Sequence, residues 1–484
     1  MSSAADGGGF AAGAVLRIAR LDPGRTALVV PQGSVSYAQL AQGIVSALAH
    51  LKRIGVRAGD WVAIDVGDEC SHLTVSLALM ACGCNQVSLG AHETQAARRE
   101  LLSRLPPCRI LGSSDFPVCE EQEPSVAGSL IDSGVEPSED SPHAGGALFT
   151  SSGTTGKPKL VYFDRAALEA SFARYVDRQG TVVVQTISVQ HGIGRKRAWR
   201  TLIAGGTVVT ASAVQSSGVL ECCARHRADR LYISAYALAD VLRAETGCVG
   251  ARSSGKLQLY AAGSKLPVDL VEEAEDRLGA EVLVVYGATE TGTICLGTSE
   301  DLRRDPDNVG KPVRGIGLRI VDRDGVDLPA GAPGTVAVRA PGCISRYLDG
   351  DGADKFRDGW FFPGDLGCLQ QDGSLSLSGR EDDQMILNTI NIFPAEIERV
   401  ARTHPAVFDC AAFAIRSRLH GDIPALACVV AKDAVPDDIL TFCRLHLGVR
   451  APRRVFLRKS LPRDAQGKIP RRILADEYAG PHRP

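Results

Sequence analysis

Short apolar runs alternate with longer amphipathic stretches through the first half of the chain. Val62-Ala63-Ile64-Asp65-Val66 reads as a short buried strand, the segment from His72 to Cys82 is apolar on most faces and reads as a helix, and Asn85-Gln86-Val87-Ser88-Leu89 reads as the next strand. Val182 to Val189, Thr207 to Val209, Leu257 to Ala261 and Val282 to Tyr286 repeat the strand pattern, with a helix over Val268 to Leu278 between the last two. Strands that alternate with helices predict an α/β architecture with largely parallel sheets. From about residue 308 the texture changes. Leu318 to Asp322 runs into an Asp324-Gly325 turn, and Gly334 to Arg339 and Gly373 to Ser378 are strands beside glycine turns. This is hairpin texture, and it predicts an antiparallel β subdomain over about 308–379. The remainder predicts a small α+β domain: a helix from Pro394 to Thr403 with proline at its start, strands over Val407 to Ile415 and Ala425 to Val430, and a helix over Asp437 to Leu447. The expected fold class is therefore α/β. A large N-terminal domain of α/β sheets with the antiparallel β subdomain is expected over 1–380, and a small α+β domain over 381–484. Cys119 to His143 is acidic and rich in Ser and Pro, and is expected to be a surface connection.

Composition narrows the function classes. The 484 residues are 44% hydrophobic and 23% charged, ordinary for a globular protein and ample for a large core. A net charge of −2 provides no global field for nucleic acid or an anionic membrane. The densest basic run, Arg195-Lys196-Arg197, is too short for a nucleic-acid patch. No run of 18 apolar residues suggests a membrane span. The N-terminal segment lacks a basic stretch before its apolar one, so a tail leading into a helix is expected rather than a signal peptide. The 14 cysteines are dispersed. Only Cys82/Cys84 and Cys222/Cys223 are close, and His226 has no second pair at zinc spacing, so buried reduced thiols and a cytoplasmic location are expected.

One stretch carries the first chemical signal. The apolar run Gly146 to Phe149 empties into Thr150-Ser151-Ser152-Gly153-Thr154-Thr155-Gly156-Lys157-Pro158-Lys159. Glycines let backbone N–H groups approach an anion, and hydroxyls and an amine add donors, so the pattern suits a phosphate loop. The spacing is not that of the common nucleotide loop: Ser151 stands where its first glycine belongs, and Pro158 follows Lys157. A plain surface turn is the competing reading.

Four further motifs follow. Tyr286-Gly287-Ala288-Thr289-Glu290 ends an apolar strand with an aromatic that can stack on a base, a hydroxyl that can bond a phosphate and a carboxylate that can hold Mg²⁺; Thr289 and Glu290 would equally cap a following helix. Asp365, in Gly364-Asp365-Leu366-Gly367, can accept both hydroxyls of a ribose or simply form an Asx turn. Gly379-Arg380-Glu381-Asp382-Asp383 falls where hairpin texture stops, as a site motif or a charged linker. Gly467-Lys468, in a basic segment near the C-terminus, makes a turn that can present an ammonium group.

In this order, over most of the chain, these motifs resemble the adenylate-forming superfamily of acyl-CoA synthetases, aryl-acid ligases, nonribosomal peptide adenylation domains and luciferases. The resemblance implies a ligase that joins a carboxylate to the α-phosphate of Mg·ATP, expels pyrophosphate, and passes the acyl group to an acceptor. It implies that Thr150, Ser151, Ser152, Gly153, Thr154, Thr155, Gly156 and Lys159 cradle the β/γ-phosphates and that Gly263 and Ser264 line the adenine and acyl pocket. Tyr286 would stack on adenine, Thr289 would contact the α-phosphate, Glu290 would ligate Mg²⁺, and Asp365 with Arg380 would hold the ribose. Lys468 would bridge carboxylate and α-phosphate, and Asp382 would be the hinge about which a mobile C-terminal domain turns between half-reactions. His191 takes the place of the Asp that α-amino-acid-activating members use, which points to an aryl or other non-α-amino acid. Acid specificity would come from around His191, 234–237, 261–264 and 291–294, where Ala261, Ala262 and Gly292 suggest room.

Some departures bear on the second half-reaction. Thr389 stands where the family usually has the glycine of its pantetheine tunnel, Pro363 replaces the usual Thr, and the family's His beyond the phosphate-loop lysine is replaced near Phe163-Asp164. The leading expectation is a freestanding ligase whose acceptor is the thiol of CoA or of a carrier protein's phosphopantetheine, working as a monomer or homodimer without nucleic acid or membrane. The alternative sends the adenylate to a nitrogen nucleophile, and a third possibility is nucleotide binding without catalysis.

Overall fold

Strand-forming runs collect into four sheets. The nine-stranded sheet has the order Lys311–Pro312, Gly292–Thr298, Glu281–Ala288, Gln258–Ala262, Arg230–Ser234, Val182–Gln185, Thr207–Val209, Thr26–Val30, Gly33–Ser36. Its central pairings are parallel and the antiparallel ones lie toward its two edges. The five-stranded sheet of the N-terminal half has the order Cys108–Gly112, Trp61–Asp65, Asn85–Ser88, Ala147–Ser151, Lys159–Phe163, and is parallel except for its last pair. Gly317–Val321, Gly334–Arg339, Phe356–Arg357, Trp360–Phe361, Asp365–Leu369 and Leu375–Arg380 form an antiparallel sheet. Lys311–Pro312 instead closes an edge of the nine-stranded sheet. Beyond Arg380, the strands Met385–Leu387, Ile390–Ile392, Val407–Ser417, Gly421–Val430 and Arg454–Arg458 form the fourth sheet. The structure is a computed structural model and describes residues 10–90, 93–115, 145–151, 158–175, 177–244, 256–350, 352–387, 390–417, 421–464 and 467–478. The expected connection over Cys119 to His143 lies outside these residues.

Local signals explain the boundaries. The helix expected from His72 begins a turn earlier, at Glu69, because the Asp68 carboxylate caps it by accepting from Ser71 N. It is buried on nearly every face, as its all-round apolarity predicts. The strand expected over Val182 to Val189 stops at Gln185, after which Thr186 N donates to Tyr232 O at 3.2 Å. The helix Pro394–Arg402 has its proline in the first turn, where a missing N–H costs nothing.

Two large cores flank the nine-stranded sheet. One unites Val15, Leu40, Leu73, Phe149, Phe163, Trp199 and Leu202 between the sheets. The other buries Val184, Leu231, Ile233, Leu259, Ala261 and Val284 under helices on the opposite face. Ala261 therefore belongs to a core and provides no room in an acid pocket. Ala262 alternates to the other face, which it shares with Tyr260, Tyr232 and Gln185. No helix among the described residues is long and apolar enough to cross a membrane.

Candidate functional site

Three neighbouring parallel strands of the nine-stranded sheet bring Ser234, Ala262 and Val285 into register at their carboxyl ends, and the last of them runs on to Ala288. Carboxyl ends of parallel strands are where open α/β sheets bind ligands. Gly263 follows Ala262 with φ +97°, and a Cβ there would meet nothing within 4 Å. Ser264 beside it is exposed. The phosphate-loop signal falls on a hairpin between Ala147–Ser151 and Lys159–Phe163, in which Ser151 pairs with Lys159. Thr150, Ser151 and Lys159 are placed at the end of this pair where the connecting segment begins and ends; Ser152, Gly153, Thr154, Thr155 and Gly156 lie outside the described residues, as does Thr389.

Tyr286, Asp365 and Arg380 form one connected group. The Tyr286 hydroxyl donates to Asp365 Oδ2 at 2.5 Å, and Arg380 Nη1 donates to Asp365 Oδ1 at 3.2 Å. Arg380 Nη2 also reaches Pro363 O at 3.2 Å and Asp382 Oδ2 at 3.4 Å. Burial, and then the Asp365 charge, hold the Tyr286 phenol well above its ordinary pKa, so it stays a donor. Each Asp365 oxygen keeps a lone pair for a further donor. The Tyr286 ring packs against the cluster of Ile294, Cys295 and Val336.

Thr289 and Glu290 do not start a helix. Ala288 pairs with Gly292, so they form the turn of a hairpin that continues from the strand end. Arg174, buried, braces this hairpin by donating to Thr291 O at 2.6 Å and to Thr293 O. The Glu290 carboxylate is 6% exposed and accepts from the Tyr347 hydroxyl at 2.8 Å. Lys159 Nζ lies 4.9 Å from the centre of the Tyr347 ring, and Lys196 Nζ donates to Thr289 O at 3.0 Å. Burial lowers Lys196 to about 8, partly opposed by Glu290. A lone buried carboxylate beside two lysine ammonium groups is a donor set that suits Mg²⁺, which keeps most of its shell for phosphate and water. Glu290 therefore fits the metal expected of it.

The helix Gly192–Ile203 carries Arg195, Lys196, Arg197 and Arg200. His191 is its N-cap residue. Two glycines bring it close: a Cβ on Gly192 would lie 2.6 Å from the Phe149 ring, and one on Gly194 2.3 Å from Ser188 O. At 100° per residue, three consecutive cations point three ways. Arg195 enters the core, donating to Ser88 Oγ and Leu148 O and stacking on Phe149 and Trp199. Lys196 faces the Thr289–Glu290 turn. Arg197 lies over the Tyr232 ring at 3.5 Å, and Tyr232 stacks on Tyr260 at 4.5 Å.

The small domain brings Lys468 to the same strand ends. Arg463 lies over the Tyr236 ring at 4.2 Å, and a Cβ on Gly467 would be 3.3 Å from Tyr236 Cβ and 3.6 Å from Ser234 Oγ. The loop is closed by Lys468 N donating to Asp464 Oδ1 at 2.9 Å and Arg463 Nη1 donating to Gly467 O at 2.7 Å. Sequence reasoning missed Arg174, Lys196, Arg197 and Tyr347. The basic run 195–197 was the available signal, but nothing in it distinguishes a buried helix from a surface one.

Comparison with known proteins accords with this geometry. The model of the AMP-binding enzyme family matches residues 16–348, and that of the AMP-binding enzyme C-terminal domain matches residues 396–468. A 2-succinylbenzoate–CoA ligase of Bacillus mycoides (strain KBAB4) is 27% identical over 476 residues, covering 95% of this chain and 97% of that protein. The o-succinylbenzoate CoA synthetase of Bacillus subtilis, solved with its acyl-adenylate intermediate, superposes with a TM-score of 0.81 at 25% identity, over 97% of this chain and 99% of that one. An amide bond synthetase of Marinactinospora thermotolerans superposes equally, with a TM-score of 0.81 at 25% identity, over 97% and 100%.

Proposed function

The chain belongs to the AMP-binding enzyme family, and from that premise we propose that it activates an aryl or other non-α-amino carboxylic acid as its adenylate and transfers the acyl group to the thiol of coenzyme A. It is an AMP-forming acid ligase that uses ATP and Mg²⁺. We place it in the cytoplasm. The supporting observation is the docking of the Lys468 loop on Ser234 and Tyr236, at the carboxyl end of a parallel strand whose neighbours lead into Gly263 and the Thr289–Glu290 turn.

The first step joins two anions, so neutralising and aligning them is the main physical task. The acid carboxylate attacks the α-phosphorus, the bond to the β-phosphate oxygen breaks, and pyrophosphate leaves. Thr150 to Gly156 and Lys159 grip the departing phosphates. Thr289 donates to the α-phosphate, and Lys468 sits where carboxylate and phosphate charge converge. Asp365 accepts from the ribose hydroxyls while Tyr286 and Arg380 hold its carboxylate in place. Glu290 would hold Mg²⁺, which supplies positive charge to the phosphates when bound. His191 stands beside the carboxylate at the head of the cationic helix, and Gly263 and Ser264 border the adenine and acyl ends. In the second step the thiol attacks the acyl carbonyl and AMP leaves. Asp382, which bonds Arg380, is the hinge for the turn of the small domain between steps.

Lys468→Ala should slow acyl-adenylate formation about 100- to 1,000-fold, the usual effect of removing a transition-state donor. Conversion of supplied acyl-adenylate to thioester should change much less, and equal losses in both steps would refute the assignment. A second reading, an amine as acceptor, is favoured by the likeness to the amide bond synthetase and by Thr389. Offering the adenylate CoA and amines together decides it, and amide as the dominant product would replace the thiol reading. Capture by a carrier-protein pantetheine is the remaining thiol variant.

A further inference from the structure

Arg197 is 8% exposed, and its Nη1 has no hydrogen-bond partner among the described residues. No carboxylate among them lies within ion-pair distance of it. Asp177 is shared by Arg200, at 2.5 Å, and Arg230. Gln185 is fully buried on the adjoining strand, in register with Tyr232, and both its amide oxygen and its nitrogen lack partners. Burial lowers Arg197 to about 10, and Arg200 adds repulsion. A buried cation without a counter-charge, beside a buried amide without partners, is costly unless something arrives to satisfy both.

The position says what arrives. Ser234, where the Lys468 loop docks, and Tyr232, over which Arg197 lies, are two residues apart on one strand and share a face. That spacing is roughly 7 Å along the sheet. Lys196, one residue round the helix, addresses the nucleotide side, so Arg197 addresses the acid's far end.

We propose that the acid is a dianion: a second carboxylate or equivalent oxyanion, roughly 7 Å from the reacting one, pairs with Arg197 and is bonded by Gln185. This rests on the acid-ligase reading of the site and adds the substrate class to it.

The test uses the full-length protein, ATP and Mg²⁺, and pairs of aryl acids that differ only in a distal carboxylate or its methyl ester. Pyrophosphate release should favour the diacid by at least about 100-fold in kcat/KM, since a site built to bond a polar group strongly rejects the analogue lacking it. Arg197→Met should abolish that preference while leaving the KM for ATP unchanged. Without ligand it should also melt at a higher temperature, because an orphan buried charge has gone. An ester used as well as the diacid, or an Arg197→Met variant that keeps the preference, overturns the proposal. So does a variant that melts lower and is restored by Arg197→Lys, the behaviour of a structural cation. Calorimetric titration of diacid and ester without ATP separates the two readings. Diacid-selective binding lost in Arg197→Met upholds the anion site even if pyrophosphate release fails, and equal binding of diacid and ester overturns it.

Discussion

Ser88 illustrates how one hydroxyl can organise buried charge. It accepts from Arg195 Nη1 and bonds His72 Nε2 at 2.8 Å, so it donates to the imidazole, whose proton then lies on Nδ1 toward Val66 O at 3.2 Å. Burial, reinforced by Arg195, lowers His72 from 6.5 to about 3, and it is neutral in the folded protein at ordinary pH. Between those values the unfolded chain binds a proton that the folded one refuses, so stability falls as pH falls below 6.5. Well below 6.5 the loss approaches about 1.4 kcal/mol per pH unit. Urea titrations from pH 7 to 4.5 should therefore show wild type losing more stability than His72→Gln, whereas parallel curves would refute the neutral imidazole. At this scale the sequence singled out Glu290 and Asp365 by their motifs, and the structure places the first buried against Tyr347 and the second between Tyr286 and Arg380. It was uninformative at Arg195 and Arg197, because charge along a chain does not reveal burial. Tyr286 was singled out by its motif, but its bond to Asp365 depends on two sheets meeting and could not be read locally.

The helix Gly192–Ile203 depends on close approach, and the glycines that permit it have opposite tolerances to another in the same region. Gly194→Ala drives a methyl group into Ser188 O and should cost about 1–3 kcal/mol. Gly67→Ala, whose added methyl meets nothing within 4 Å, should be near neutral. Equal urea midpoints for the two variants would show that the helix does not need the contact. Elements were legible where pattern and boundary residue agree, as in Val268–Leu278, ended by Gly279 in the left-handed region, and Pro394–Arg402, begun by its proline. The helix start at Glu69 was missed because the cap at Asp68 outweighs the polar residues that follow it. The assignment of Lys311–Pro312 to the nine-stranded sheet depends on pairing with distant residues, which hairpin texture does not encode.

On the scale of the molecule, the small domain is caught with its lysine loop on the large one, an arrangement suited to adenylation. Tyr236→Ala removes the ring beneath Arg463 and should slow acyl-adenylate formation roughly threefold to thirtyfold, the worth of a partly exposed cation–π contact. Conversion of supplied adenylate to thioester should be unaffected, since in the proposed cycle the loop leaves this surface for that step. A loss confined to the second step would reverse the assignment of states. The division into sheets up to Arg380 and a fourth beyond it follows the change of texture visible in the sequence, whereas the docked pose does not, because it arises from surfaces far apart in the chain.

The central claim is that acid and ATP react to an acyl-adenylate before any acceptor arrives. Incubating the protein with ATP, Mg²⁺ and a panel of aryl mono- and diacids, without thiol or amine, and analysing the mixture by mass spectrometry tests it directly. The account predicts acid-dependent pyrophosphate and an enzyme-held acyl-AMP that is consumed, with release of AMP, when CoA is added. Acid-dependent ADP and phosphate, or no acid-dependent pyrophosphate with any acid of the panel, would contradict it.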